Sequence, residues 1–131
     1  MAKLLFIDDD TNLRSLYEQE YRDAGFEVIT AASGPAGVER VRKDQPDLVV
    51  LDIVMPGMDG IETLTKILAV NKSIPIIINS ANSKFRDNFM CWTADAYVVK
   101  SGDLTELTTT IWELLREHGI ETPAALQSAC C

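Results

Sequence analysis

The chain has 131 residues and carries 12 basic against 20 acidic side chains, for a formal net charge of −8. That length makes one domain of ordinary size, able to bury a continuous core and too short to hold a second catalytic domain. The acidic balance opposes approach to a nucleic-acid backbone or an anionic lipid surface. The opening MAKLLFIDDD offers too short an apolar run for a signal peptide or a membrane span, so a soluble cytoplasmic location is expected. Cys91, Cys130 and Cys131 have no histidine at metal-ligand spacing and read as reduced thiols.

Apolar runs of strand length alternate with helix-period segments, the pattern of repeated βα units around a parallel sheet. The first strand spans Lys3 to Ile7. A helix follows, capped by Thr11 or Asp10, with Leu13, Leu16, Tyr17, Tyr21 and Ala24 at helical spacing before Gly25. Phe26 to Ala31 is the second strand. Ser33 opens a second helix, whose Val38 and Val41 face inward and which ends before Pro46. Asp47 to Leu51 is nearly continuously apolar, as befits a central strand covered on both faces. A loop from Met55 to Gly60 leads to a helix marked by Ile61, Leu64, Ile67 and Leu68, and Ile74 to Asn79 forms the fourth strand. Between Ser83 and Thr93 the periodicity weakens to Phe85, Phe89 and Trp92, which predicts a short fourth helix. Ala96 to Val99 is the fifth strand. Leu104, Leu107, Ile111, Leu114 and Leu115 make the last amphipathic helix before Gly119, with residues 120–131 as a tail to a domain of residues 1–119.

Each of four apolar runs ends in a residue with chemistry. Asp8 and Asp9 follow LLFI, Asp52 follows LVVL, Ser80 follows IPIIIN and Lys100 follows AYVV. In an open parallel sheet, ligands bind beyond the carboxyl ends of the strands, so these side chains can share one pocket. Carboxylates, a hydroxyl and an ammonium there describe a cation site, a nucleophile, a phosphate hydrogen-bond donor and a fixed positive charge. Simpler readings compete residue by residue. Asp8, Asp9 and Asp10 can form a solvated loop and helix cap, the reading preferred for Asp10. Lys100 can be a strand-end charge, and Ser80 a cap. Asp52 is harder to explain structurally, because an acid directly after LVVL is expected to be partly buried and so to need a compensating cation.

The runs IDDD and LDIVMPGMDG, the lone Ser80 after a strand and the run AYVVK, in that order and spacing, resemble the receiver domain of two-component response regulators over about residues 2 to 118. The resemblance implies an α/β fold: a doubly wound, five-stranded parallel sheet in the order 2-1-3-4-5, the flavodoxin-like arrangement. It implies that Asp52 accepts a phosphoryl group from a sensor histidine kinase or phosphotransfer protein. Asp9, Asp52 and the backbone carbonyl of Val54 would hold Mg²⁺, or Mn²⁺ in its place, with Asp8 behind a bound water. Lys100 would hold Asp52 before transfer and a phosphoryl oxygen afterwards, and Ser80 would bond the new phosphate. Tyr97 would swing as Ser80 moves, equally readable as a rim tyrosine. The output would be a downstream protein or a homodimer, met through the fourth helix, fifth strand and last helix, with no enzyme activity beyond the domain's own phosphorylation and dephosphorylation.

Two departures from the family pattern stand out. Ser101 replaces the usual proline after Lys100, where a cis bond would cost about 2.5–4 kcal/mol, so a trans bond is expected. The segment between Ser80 and Lys100 is slightly short. The resemblance implies that the residues two beyond Asp52 and two beyond Ser80, here Val54 and Asn82, orient the attacking water; the Val54 side chain cannot, so slow self-hydrolysis is expected unless Asn82 substitutes. Three crowded carboxylates should repel one another without metal. Two alternatives remain: a haloacid-dehalogenase-like phosphatase, which Phe6 to Thr11 superficially resembles, and an unphosphorylated protein-interaction module of the same fold.

Overall fold

A computed structural model describes residues 2–52, 54–55, 58–81, 94–101 and 103–120. The elements run β1 (Lys3–Ile7), α1 (Thr11–Asp23), β2 (Glu27–Ala31), α2 (Gly34–Asp44), β3 (Leu48–Leu51), β4 (Val54–Met55), β5 (Met58–Asp59), α3 (Gly60–Val70), β6 (Ile76–Ser80), β7 (Ala96–Val99) and α4 (Thr105–Glu117). The main sheet is parallel, in the order β2-β1-β3-β6-β7. This is the expected 2-1-3-4-5 topology, with the last two strands renumbered. The difference is a two-stranded antiparallel hairpin, β4–β5, where a plain loop was expected. Strands of two residues are too short to show any alternation in sequence.

Strand alternation divides the core into two layers. Leu4, Phe6, Leu48, Val50, Ile77 and Val98 pack with Tyr17 and Tyr21 of α1 and Leu107, Ile111, Leu114 and Leu115 of α4. On the other face Leu5, Ile7, Val49, Leu51, Ile76 and Ile78 pack with Val38 and Val41 of α2 and Leu64 and Ile67 of α3. Leu16, expected on the inward face of α1, is instead 39% exposed. The arc of α1 that meets the sheet is centred on Tyr17 and Tyr21, and Leu16 falls outside it.

The helix ends follow from local chemistry. Asp10, rather than Thr11, caps α1, accepting from the N–H groups of Asn12 and Leu13. Ser33 caps α2, with Pro35 in its first turn. Gly25 and Gly119, with φ of 101° and 70°, close α1 and α4 in the same way. After α1 the Phe26 N–H donates to Tyr21 O, and after α4 the Ile120 N–H donates to Leu115 O. The residue past each glycine also packs back onto the helix, Phe26 meeting the edge of Tyr21 and Ile120 joining the core cluster of Leu115. No cis peptide bond occurs among the described residues, so Lys100–Ser101 is trans. The predicted fourth helix, with Phe85, Phe89, Cys91 and Trp92, lies outside the described residues, as do Asn82, Cys130 and Cys131.

Two predictions concern this core. A Cβ added at Gly37 of α2 would lie 2.7 Å from Ile7 Cγ1 and closer still to its Cδ1. Gly37→Ala should therefore cost about 1–3 kcal/mol in urea unfolding. Adding Ile7→Val, which removes Cδ1, should make the double variant more stable than the sum of the singles; strict additivity would count against the clash.

Burial pushes the Tyr21 phenol up to about 12 from its ordinary 10.0, against the opposing hydrogen bond with Thr108. Once pH passes the unfolded value, the native state keeps a proton that the unfolded chain has lost, so stability falls as pH rises toward the folded value. The loss should reach roughly 1 kcal/mol by about pH 11. Tyr21→Phe should flatten that decline, and an equally steep alkaline decline in the variant would disprove the assignment.

Candidate functional site

The carboxyl edge of the sheet is held in register by backbone bonds that run past the strands themselves. Asp8 N–H donates to Ala31 O, Asp52 N–H to Ile7 O at 2.9 Å, and Lys100 N–H to Ser80 O at 2.6 Å. Asp8, Asp52, Ser80 and Lys100 are thereby fixed at one edge of the sheet, as the strand-end pattern predicted. Asp8 and Asp52 are buried, at 2% and 5% exposure, and Ser80 is fully buried, whereas Asp9 is exposed. One carboxylate oxygen from each of Asp8, Asp9 and Asp52 can be chosen so that all three lie within 4.8 Å of one another. Tyr97 on β7 pairs in register with Ile78 and packs, half-buried, against the second core layer. Val54 opens the β4–β5 hairpin two residues beyond Asp52.

Lys100 Nζ donates to Asp52 Oδ2 at 3.1 Å and lies 2.8 Å from Asp8 Oδ2. The Asp52 contact was expected; the shorter one, to Asp8, was not. The crowded carboxylates are therefore not left to bare repulsion, because one ammonium compensates two of them. Burial acts to lower the pKa of that ammonium, but the hydrogen bond to Asp8 and the charges of Asp52 and Asp8 outweigh it, and the net shift is upward. Asp8 is held further by the Asp10 N–H on its Oδ1 at 2.9 Å, and its carbonyl accepts from Arg14 Nη1 at 2.8 Å. Asp10 itself caps α1 and is exposed.

Beneath the pocket lies a pair that the sequence reading did not single out. Asn79 Nδ2 donates to the Tyr17 hydroxyl at 3.0 Å, in a fully buried contact between residues 62 positions apart. Burial raises the Tyr17 phenol; the Asn79 hydrogen bond and the Lys100 charge oppose the rise, while Asp8 and Asp52 add to it. The available signal was the asparagine that ends the run IPIIIN, a polar residue directly after three isoleucines.

The sequence pattern of the response regulator receiver domain matches residues 4–112. The chain belongs to that family. Response regulator protein TrrA from Thermotoga maritima, solved in complex with Mg²⁺–BeF, is 37% identical, with a TM-score of 0.84 over 88% of this chain and 100% of TrrA. TrrA has also been solved in complex with the histidine kinase ThkA, and in that structure it matches this receiver domain with a TM-score of 0.82. Transcriptional regulatory protein PrrA of Mycobacterium tuberculosis is 35% identical over 119 residues, which are 89% of this chain and 51% of PrrA. Sporulation initiation phosphotransferase F of Bacillus subtilis is 38% identical over 79 residues, 60% of this chain and 64% of that protein. The receiver chain spans about half the length of the transcriptional regulators it matches.

The acidic cluster of this receiver domain fits Mg²⁺, because its donors are all hard carboxylate oxygens and the exposed Asp9 leaves an open side for water ligands. Among the described residues no helix is long and apolar enough to cross a membrane.

Replacing Lys100 by methionine removes the counter-charge of two buried acids. The variant should lose about 3 kcal/mol of stability in metal-free buffer. Adding Asp8→Asn should recover a large part of that loss in urea titrations. Equal stability of wild type and Lys100→Met would show that the ion pairs contribute nothing.

Proposed function

We propose that Asp52 is the phosphoacceptor of a two-component signalling switch, charged by a histidine kinase or a phosphotransfer protein. The observation that carries this reading is the position of its carboxylate: buried at the carboxyl end of the central strand β3, bonded by Lys100 and grouped with Asp8 and Asp9. A carboxylate and a phosphoryl group repel, so transfer depends on positioning and on cations. Asp52 presents an oxygen that forms the new O–P bond as the bond from phosphorus to the donor breaks. Asp9, Asp52 and the Val54 carbonyl are assigned to a Mg²⁺ ion, with Asp8 acting through a bound water and Mn²⁺ able to substitute. When bound, the ion neutralises charge that builds on the phosphoryl oxygens.

Lys100 stands beside Asp52 already and would exchange a carboxylate oxygen for a phosphoryl oxygen after transfer. The Ser80 hydroxyl, at the adjacent strand end, would donate to the phosphate, and the movement would let Tyr97 shift its ring into the vacated space. β7 and α4 would then present the altered face to a downstream protein or to a second copy of the chain. On this reading the chain assists only its own phosphorylation and dephosphorylation and turns over no separate substrate. It would work in the cytoplasm, without direct contact with nucleic acid. The kinase complex of TrrA and the Mg²⁺–BeF complex of the same protein support the reading.

Intact-mass measurement after incubation with Mg²⁺ and acetyl phosphate should show one added phosphoryl group on wild type and none on Asp52→Asn. Equal labelling of both proteins would move the acceptor elsewhere, and phosphate release abolished by mutating Asp8 rather than Asp52 would favour a phosphatase.

A further inference from the structure

Asn79 follows Ile76, Ile77 and Ile78 in β6, and its hydrogen bond to Tyr17 places it on the α1 side of the sheet, opposite to Ser80. Both partners of that bond are 3% exposed. The Tyr17 ring stacks on Phe6 with centroids 4.9 Å apart and planes 20° from parallel. Phe6 lies on β1 two residues before Asp8, and Asn79 lies on β6 directly before Ser80. Tyr17 therefore spans the underside of the pocket from the strand that carries one acid to the strand that carries the hydroxyl. The end of β6 in turn anchors Lys100 through the 2.6 Å bond from its N–H to Ser80 O. Two apolar side chains could fill this volume without desolvating an amide and a phenol, so packing alone does not account for the polar pair. A hydrogen bond differs from apolar contact in fixing a direction and a distance.

We infer that Tyr17 and Asn79 are positioning residues that fix the carboxyl end of β6, and with it the Ser80 hydroxyl and Lys100 ammonium, relative to Asp8 and Asp52 for phosphoryl transfer. The inference rests on the phosphoacceptor role proposed for Asp52. Neither residue touches the reacting atoms. Their effect is to keep the end of β6, whose register with β3 runs only to Leu51–Ile78, from pivoting when the phosphoryl group arrives.

The test is the double variant Tyr17→Phe/Asn79→Leu, which removes both polar groups at nearly constant volume. It should keep the wild-type melting temperature and Mg²⁺ affinity, the latter measured by calorimetry. Its maximal rate of labelling by acetyl phosphate should fall roughly tenfold, with the half-saturating acetyl phosphate concentration unchanged. A folded double variant that labels at the wild-type rate overturns the inference. So does slower labelling matched by equal weakening of Mg²⁺ binding, which would report general loosening of the pocket. If the double variant fails to fold, Tyr17→Phe alone, which keeps the ring on Phe6, decides by the same rate. Wild type that takes up no phosphoryl group removes the role of Asp52 itself, whereas labelled wild type with an equally fast variant removes only the positioning role.

Discussion

A parallel sheet covered on both faces has almost no place for a polar side chain except at the ends of its strands, and the rest of this molecule depends on that constraint. β1, β3 and β6 are covered by α1 and α4 on one side and by α2 and α3 on the other, and their apolar side chains are essentially inaccessible to solvent. Ionisable groups placed within those runs would lose their hydration with nothing to replace it. They appear instead one residue beyond the strands. Because crossover connections leave all five strands parallel, those positions fall along a single edge. The chemical site follows from the way the core is closed.

At that edge the problem becomes one of charge. Asp8 and Asp52 are as buried as many core residues, yet both are acids, and a lone buried carboxylate is costly. Lys100 resolves this by bonding to both, so its ammonium is part of the scaffold as well as part of the chemistry. Asp9 faces solvent and escapes the constraint. The result is a site in which two acids are fixed and a third stays hydrated, able to meet a dication that keeps part of its water shell. The site is preorganised in the sense that the fold, rather than the ligand, has already brought the like charges together.

The buried Tyr17–Asn79 pair belongs to the same logic at lower magnitude. Two neutral polar groups satisfy each other inside an apolar layer, and they do so under the strands that carry the acids and the hydroxyl. Arg14 makes a comparable link from α1 to the Asp8 carbonyl. Helix α1 thus supports the pocket from below as well as covering the sheet.

Much of this architecture was legible before any coordinates. Apolar runs of strand length and period-3.6 patterns located the five strands of the main sheet and four helices, and Asp10, Ser33, Gly25 and Gly119 marked where helices begin or stop. The residues that share the carboxyl edge were legible too, since each ends an apolar run. These features are local: a few neighbouring residues determine them, through apolar runs, helical periodicity, capping and the conformational freedom of glycine. Local patterns could not show that Leu16 lies outside the arc meeting the sheet, or that two-residue strands pair as β4 and β5. Nor could they show that Lys100 would bond Asp8 as well as Asp52, or that Asn79 would reach Tyr17 from 62 residues away. Partners of that kind depend on strand register and on how each crossover seats its helix. Sequence alone therefore determined which residues reach the edge of the sheet, and the packing of distant elements decided which of them touch.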